Sequence, residues 1–275
     1  MAYGGRFFIR RRVWRCGPYA EVELYPVFQP PGKRRSKCRP TRECQARLNQ
    51  RDAVRKLARL LQANFRAGDY EIDLTFAEPE SVEGAVTELK KLLRALRKIW
   101  RAEGTELRYV YTCEQGKKSG RVHFHLVLNA GPLSRDEIES MWKHGYANAR
   151  RLRMDESGVS GLANYISKQG QKRKPEEAGK RRWSCSRNLV RPVPEVTDGA
   201  VTVGACMALA EEIDRRSAGA VMEGMTLVEA EALRNRVNRG LYLRFEMAEP
   251  ETWHGRRPVA RYFSGELGEV EDCSG

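Results

Sequence analysis

Two of the four histidines in this 275-residue chain stand two residues apart, in the stretch HFHLVLN that starts at His123. Side chains at i and i+2 of a strand project from the same face, so the imidazoles of His123 and His125 can serve one divalent ion. Glu114, on the preceding strand of a tight hairpin, has matching parity and lies near His123. A His-His-Glu set with open positions suits Mg²⁺, Mn²⁺ or Zn²⁺ acting as a Lewis acid. An isolated His-x-His pair is often solvent-facing and inert. Here Glu114 argues against that, as does a second pair downstream. In ANYISKQ, residues 163–169, Tyr165 and Lys168 share a helix face at i and i+3, with Leu162 and Ile166 as the packing edge. Alone, they read equally well as a core aromatic and an end-of-helix cation. Beside a metal, a phenol can attack a phosphodiester if the ion polarises the phosphoryl oxygens and an ammonium lowers the phenol pKa from about 10.

These groups need elements to hold them. Tyr70–Phe76 alternates, with Tyr70, Ile72, Leu74 and Phe76 on one side and Glu71, Asp73 and Thr75 on the other. Ser81–Ala102 carries a helical stripe of Val82, Val86, Leu89, Leu93, Leu96 and Trp100. Strands over 107–114 and 121–129 follow, joined by a short link with glycines near both ends, which argues for a hairpin. A helix near 134–143, a strand near 147–153 and a helix near 158–169 complete the order. Strand–helix–strand–strand–helix–strand is the split βαβ pattern. It predicts an α+β fold with a ferredoxin-like, RRM-like antiparallel sheet, helices on one face and the other face open. Val122, Phe124, Leu126 and Leu128 would face the helices, and His123 and His125 the open side.

Other His-x-His chemistries fail by eye. A histidine-triad hydrolase needs a third histidine at Val127, and a cupin needs a carboxylate at Leu128 or Asn129. Taken together, the motifs resemble those of the HUH endonucleases, specifically the rolling-circle replication initiator (Rep) proteins. HFHLVLN is similar to their His-hydrophobe-His motif, NYISK to their Tyr-x-x-Lys motif, and YEIDLTF to their first-strand motif. The resemblance spans about residues 70–170 and implies a nickase for single-stranded or hairpin origin DNA. It implies Tyr165 as the nucleophile, joined to the 5′ end with release of a 3′-OH, and Lys168 as its assistant. It also implies His123, His125 and Glu114 as ligands of Mg²⁺ or Mn²⁺. Gly161 stands one turn before Tyr165, so no second tyrosine is paired with it. No G-x-x-x-x-G-K-[ST] phosphate loop occurs, which implies a host helicase alongside a host polymerase. A single-tyrosine HUH transposase would share this chemistry. A rival of another class is a non-catalytic single-stranded nucleic-acid-binding module, which would not depend on His123 or Tyr165.

Charge agrees with a polyanionic partner. The net charge is +14. Residues 1–68 hold 17 basic against 4 acidic side chains, and 171–192 hold 8 against 2, around a nearly neutral middle. Lys172, Arg173, Lys174, Lys180, Arg181, Arg182 and Arg187 surround Trp183, a mixture of cations and a ring that suits single-stranded DNA. Lys117, Lys118 and Arg121 flank the hairpin as further DNA candidates. Arg10, Arg11, Arg12 and Arg15 could line a DNA path or blunt an edge strand. His144 and His254 lack ligand-spaced partners and read as structural or surface residues.

The expected division is a basic N-terminal extension at 1–68, hairpin plus helix, packing on the core. The HUH endonuclease domain follows at 69–192, with its basic DNA-binding segment at 171–192. A C-terminal helix and strand extension covers 193–263, and a disordered acidic tail 264–275. No run approaches the roughly 18 apolar residues of a membrane span. Seven scattered cysteines without a C-x-x-C pair fit reduced thiols. The expectation is a protein of the cytoplasm of a bacterial host.

Overall fold

The computed structural model describes residues 7–28, 43–116, 119–154, 158–159, 162–163, 183–211, 221–234, 240–252 and 259–263. The first half of the chain runs β1 (Phe7–Cys16), β2 (Tyr19–Phe28), α1 (Glu43–Asn64), β3 (Tyr70–Phe76), α2 (Val82–Ala102), β4 (Tyr109–Gln115) and β5 (Val122–Leu128). Then come α3 (Arg135–Ser140), β6 (Gly145–Arg151), β7 (Ser184–Cys185), β8 (Glu195–Asp198), α4 (Val203–Glu211), β9 (Thr226–Arg234), β10 (Leu241–Ala248) and β11 (Val259–Phe263). Two units result. One comprises Ala53–Asp155 and Val159–Arg191; the other comprises Met1–Asp52, Glu156–Gly158 and Pro192–Gly275.

The first unit holds a five-stranded antiparallel sheet in the order β6-β3-β5-β4-β7. Its first four strands are the split βαβ arrangement expected from the sequence, and β7 adds an edge. The alternation of β3 drives the packing: Tyr70, Ile72, Leu74 and Phe76 are buried, and Glu71, Asp73 and Thr75 are half-buried. The buried set meets Leu89, Leu93, Leu96 and Trp100 of α2, and Ile138 of α3. Each such Leu or Phe contributes roughly 1.5–3 kcal/mol relative to exposure.

Ser81 caps α2, its Oγ accepting the Gly84 N–H at 3.0 Å. Ser134 and Glu137 form a capping box on α3. That helix ends at Ser140, earlier than its sequence pattern suggests, because Trp142 turns inward. The Trp142 indole is buried and donates to the Thr75 carbonyl at 3.2 Å. Gly131 lies so close to Trp100 that a Cβ there would meet the indole at 2.2 Å.

The second face of this sheet is less open than the alternation implied. At one end Val110 and Val127 are buried beneath Leu57, Leu60, Leu61 and Phe65 of the α1 segment, with Leu152, Val159, Ala163 and Leu189 alongside. Asn64 ties this cap to the chain after β7, donating to the Val190 carbonyl at 2.7 Å and accepting its N–H at 2.8 Å.

The second unit is a six-stranded sheet, β11-β9-β10-β2-β1-β8, antiparallel except for the β11–β9 pair. The sequence suggests separate extensions at the two ends, with the alternation of Leu241–Met247 free to extend the nuclease sheet. Instead β10 pairs with β2 and β9, joining the N-terminal hairpin to the C-terminal strands around its own core of Val13, Val22, Ala230, Phe245 and Met247. Leu243, Phe245 and Met247 offer an apolar row that only a second apolar row could bury. β2 supplies one, from Ala20 to Leu24.

The four N-terminal arginines correspondingly do not mark an edge, since β1 lies between β2 and β8. Arg10 grips Asp198 with two hydrogen bonds, at 2.7 and 2.8 Å. Arg15 meets Glu195 at 3.4 Å. Arg11 donates to the Val221 carbonyl, and Arg12 lies over the rings of Trp14 and Tyr25.

Candidate active site

The β4–β5 hairpin sets the geometry. Gly116 N–H donates to the Arg121 carbonyl and Gly120 N–H to the Gly116 carbonyl, both at 2.8 Å. Gly120 takes φ +66°, which favours glycine. This closure aligns Glu114 with His123 and Thr112 with His125. From the other side β3 aligns Thr75 with His123 and Asp73 with His125. Residues paired across antiparallel strands share a face. One face of the sheet therefore carries Asp73, Thr75, Thr112, Glu114, His123 and His125.

Both imidazoles are anchored through Nδ1. His125 Nδ1 stands 2.7 Å from Asp73 Oδ1, and His123 Nδ1 stands 3.0 Å from Thr75 Oγ1. An ionised carboxylate only accepts, so the proton of that bond sits on His125 Nδ1, and in the neutral ring Nε2 carries the lone pair. Burial pushes the Asp73 carboxyl up, but the bonds and charges of His125 and Arg150 outweigh it and hold it below its ordinary value. Arg150 Nη2 reaches Asp73 Oδ2 at 2.8 Å and Glu71 at 3.0 Å. His123 is shifted down, by burial first and then by His125 and Arg121, which favours its neutral, electron-donating form. The hairpin backbone passes close by: a Cβ on Gly116 would lie 3.4 Å from His123 Nε2.

Sequence alone does not single out Asp73 and Thr75 as histidine partners. Their signal lies in the β3 alternation combined with the split βαβ order, which sets β3 beside β5. Thr112 is a further residue that the motifs do not mark. It is buried opposite His125, and among the described residues its Oγ1 has no hydrogen-bond partner.

The donor types and the shared face suit a divalent cation, with imidazole Nε2 and carboxylate oxygen as donors and a carboxylate behind one imidazole. Among the described residues, no three His, Cys, Asp or Glu side chains already stand together as a metal cluster. Cys113, on the helix-facing side, is no ligand candidate. Burial, with Glu114 and Glu83 nearby, pushes its thiol up to about 12.

Tyr165, Lys168, Lys117, Lys118, Lys172, Arg173, Lys174, Arg181, Arg182 and His254 lie outside the described residues, as does the 264–275 tail. The chain leading to Tyr165 is partly described. Val159 and Ala163 are buried, joined by the helical Ala163 N–H to Val159 carbonyl bond at 2.9 Å. They pack with Val110 and Val127, and Val127 is on the histidine face two residues from His125. Arg121 is exposed beside the hairpin. Trp183 is half-buried against the same apolar cluster, so its ring is part of the cap. His144 is structural, with Nε2 3.2 Å from Glu88 Oε2 and its ring against Phe76 and Trp142.

The fold and site together define an α+β domain whose antiparallel sheet presents two oriented histidines and flanking carboxylates on one face. Residues 69–170 of the chain match the family model for Replication-associated protein ORF2. That match supports a Rep-like replication initiator with DNA as its partner. No curated protein and no solved structure matches. Among the described residues, no helix is long and apolar enough to cross a membrane.

Proposed function

We propose that this protein is a rolling-circle replication initiator of the HUH endonuclease type, which nicks and rejoins single-stranded origin DNA through a 5′-phosphotyrosine intermediate. Tyr165 is the nucleophile: its Oη bonds to the scissile phosphorus, the P–O3′ bond breaks, and the departing 3′ oxygen takes up a proton to become the primer hydroxyl. Lys168 assists by favouring the phenolate and offsetting charge on the phosphoryl group. His123, His125 and Glu114 would hold Mg²⁺ or Mn²⁺, which when bound supplies Lewis-acid polarisation of the phosphoryl oxygens. Asp73 and Thr75 hold the two imidazoles in place. One phosphoester replaces another with little change in free energy, so the same site can rejoin strands. A host helicase and polymerase act alongside it in the cytoplasm of a bacterial cell.

The observation that carries this reading is the burial of Val159 and Ala163 in the apolar cluster of Val110 and Val127. It anchors the segment entering the Tyr165 motif on the face that bears His123 and His125. The test is covalent trapping. The full chain is mixed with labelled single-stranded DNA from its own replicon and Mn²⁺, then run on a denaturing gel. A shifted band that disappears in Tyr165→Phe and with a chelator is expected. Binding without an adduct, across a library of hairpin substrates, would overturn the reading in favour of a non-catalytic binding module.

A further inference from the structure

On the other side of the same sheet, α2, β4 and the chain after β7 enclose an open cavity of about 520 Å³. Arg97, Arg101 and Arg187 line it, with Tyr109, Asn188 and Glu106. Tyr109 shares the parity of Tyr111 and Cys113, the side that faces α2, whereas His123 and His125 project from the opposite side. The cavity is therefore separate from the histidine site.

Its lining is unusual in charge. Arg97 and Arg101 are spaced i, i+4 on α2 and so share a helix face, an arrangement that is repulsive without a counter-charge. Arg187 adds a third guanidinium. Among the described residues, none of the three has an ion-pair partner. Glu106 is the one acid in the lining, and its Oε2 already accepts from Asn188 Nδ2 at 3.1 Å.

The walls are held by the fold. Ser186 N–H donates to the Tyr109 carbonyl at 2.9 Å, Tyr109 N–H to Ser186 Oγ at 3.2 Å, and Asn188 Nδ2 to the Leu107 carbonyl at 3.2 Å. Those bonds fix the turn bearing Arg187 against β4. The volume lies within the range of small-ligand pockets, about 300–1,000 Å³. Guanidinium forks match phosphate oxygens two at a time, and a half-exposed tyrosine offers a ring for a base.

We propose that this cavity is an accessory DNA site, which binds the phosphodiester backbone of the single strand that the protein acts on. The proposal rests on the function argued above for the identity of the strand. It does not rest on Tyr165, Lys168 or the metal. A strand held here would keep part of its length bound while the phosphate at the histidine face is cut and rejoined.

The experiment uses the full chain carrying Tyr165→Phe and a fluorescent oligothymidylate of about 20 nucleotides, with affinity followed across salt concentration. The combined R97Q, R101Q and R187Q variant is expected to bind about tenfold more weakly near 0.1 M salt, with a salt slope lower by about 2. The control is K90Q, R94Q and K98Q, three exposed cations of α2 outside the cavity, which remove equal charge. Unchanged binding and slope in the cavity variant would overturn the proposal, as would an equal loss in the control. Competition with inorganic phosphate separates the two anion sources. Phosphate binding that needs the three arginines while oligonucleotide affinity does not would also overturn it.

The adduct assay with Tyr165 restored keeps the two readings apart. If no adduct forms, yet the cavity variant still loses oligonucleotide affinity, the nickase reading fails and the DNA site stands. If adduct forms normally and affinity is untouched by the cavity changes, the nickase stands and the accessory site falls.

Discussion

The arginines of β1 and those around the α2 cavity differ in one respect that matters more than their number. Arg10 and Arg15 lie in the most basic stretch of the chain, yet Asp198 and Glu195 from the acidic C-terminal region meet them in the six-stranded sheet. Further into that sheet, Arg244 is surrounded by Glu21, Glu231 and Glu246. Arg97, Arg101 and Arg187 sit in a stretch of modest net charge and have no such partners among the described residues. A block of positive charge along a sequence can thus be neutralised within the fold, and binding capacity resides where the fold leaves cations unmatched. The two polar sheet faces differ in the same way. The six-stranded sheet gathers its glutamates around a guanidinium, whereas the five-stranded sheet gives each histidine one oxygen partner and keeps its second nitrogen for chemistry.

The largest effects that would test this contrast are catalytic. His123→Ala or His125→Ala should abolish the DNA adduct while leaving the melting temperature close to that of the parent, since both sit on a polar face. Asp73→Asn should be milder, about 10–100-fold lower in metal affinity or adduct rate, because it loosens one imidazole without removing it. An unaltered Asp73→Asn rate would separate the histidine from its partner and weaken the assigned role of β3.

Core substitutions come next and should differ between the units. Phe245→Ala, at a fully buried site in the six-stranded sheet, should cost about 3–5 kcal/mol, measured by denaturant unfolding. It should spare adduct formation at temperatures below its transition. Gly131→Ala, in the other unit, forces a methyl into Trp100 and should cost about 1–3 kcal/mol.

A smaller effect distinguishes the glutamate cluster. Burial raises Glu246 above its ordinary 4.5, with Arg244 only partly opposing. A carboxyl that is harder to ionise when folded holds its proton longer in the native state. Stability therefore falls as pH rises from 4.5 through the raised value. Glu246→Gln should flatten that decline in a series of melts. The least change is expected from Arg10→Gln with Arg15→Gln, since paired arginines contribute little to DNA affinity. A loss matching that of the cavity variant would erase the contrast between matched and unmatched cations.

Much of the histidine face is legible in the chain. Period-two alternation in YEIDLTF and HFHLVLN determines which residues share a face, and the glycines of the 115–120 link determine a tight turn. Together they place Glu114 opposite His123. The partners Asp73 and Thr75 are less visible because strand adjacency, unlike alternation, is a property of the folded order. The coverage of Val110 and Val127 by α1 is hidden for a similar reason, as a helix stripe states that it must be buried but not on which surface. The ends of the chain are hardest to read. Their hairpin and strands look like two extensions, and nothing local tells a strand that its neighbour lies more than two hundred residues away.

By itself, then, the sequence determined the local periods, the turns and the chemical types held on the face with His123 and His125, because these depend on neighbours within a few residues. Only the tertiary structure decided that β10 lies on β2, that Asp198 and Glu195 meet the N-terminal arginines, and that Arg187 joins Arg97 and Arg101 around one cavity. Those contacts are set by burial and charge matching between distant segments, and such energies exist only once the chain has brought the segments together.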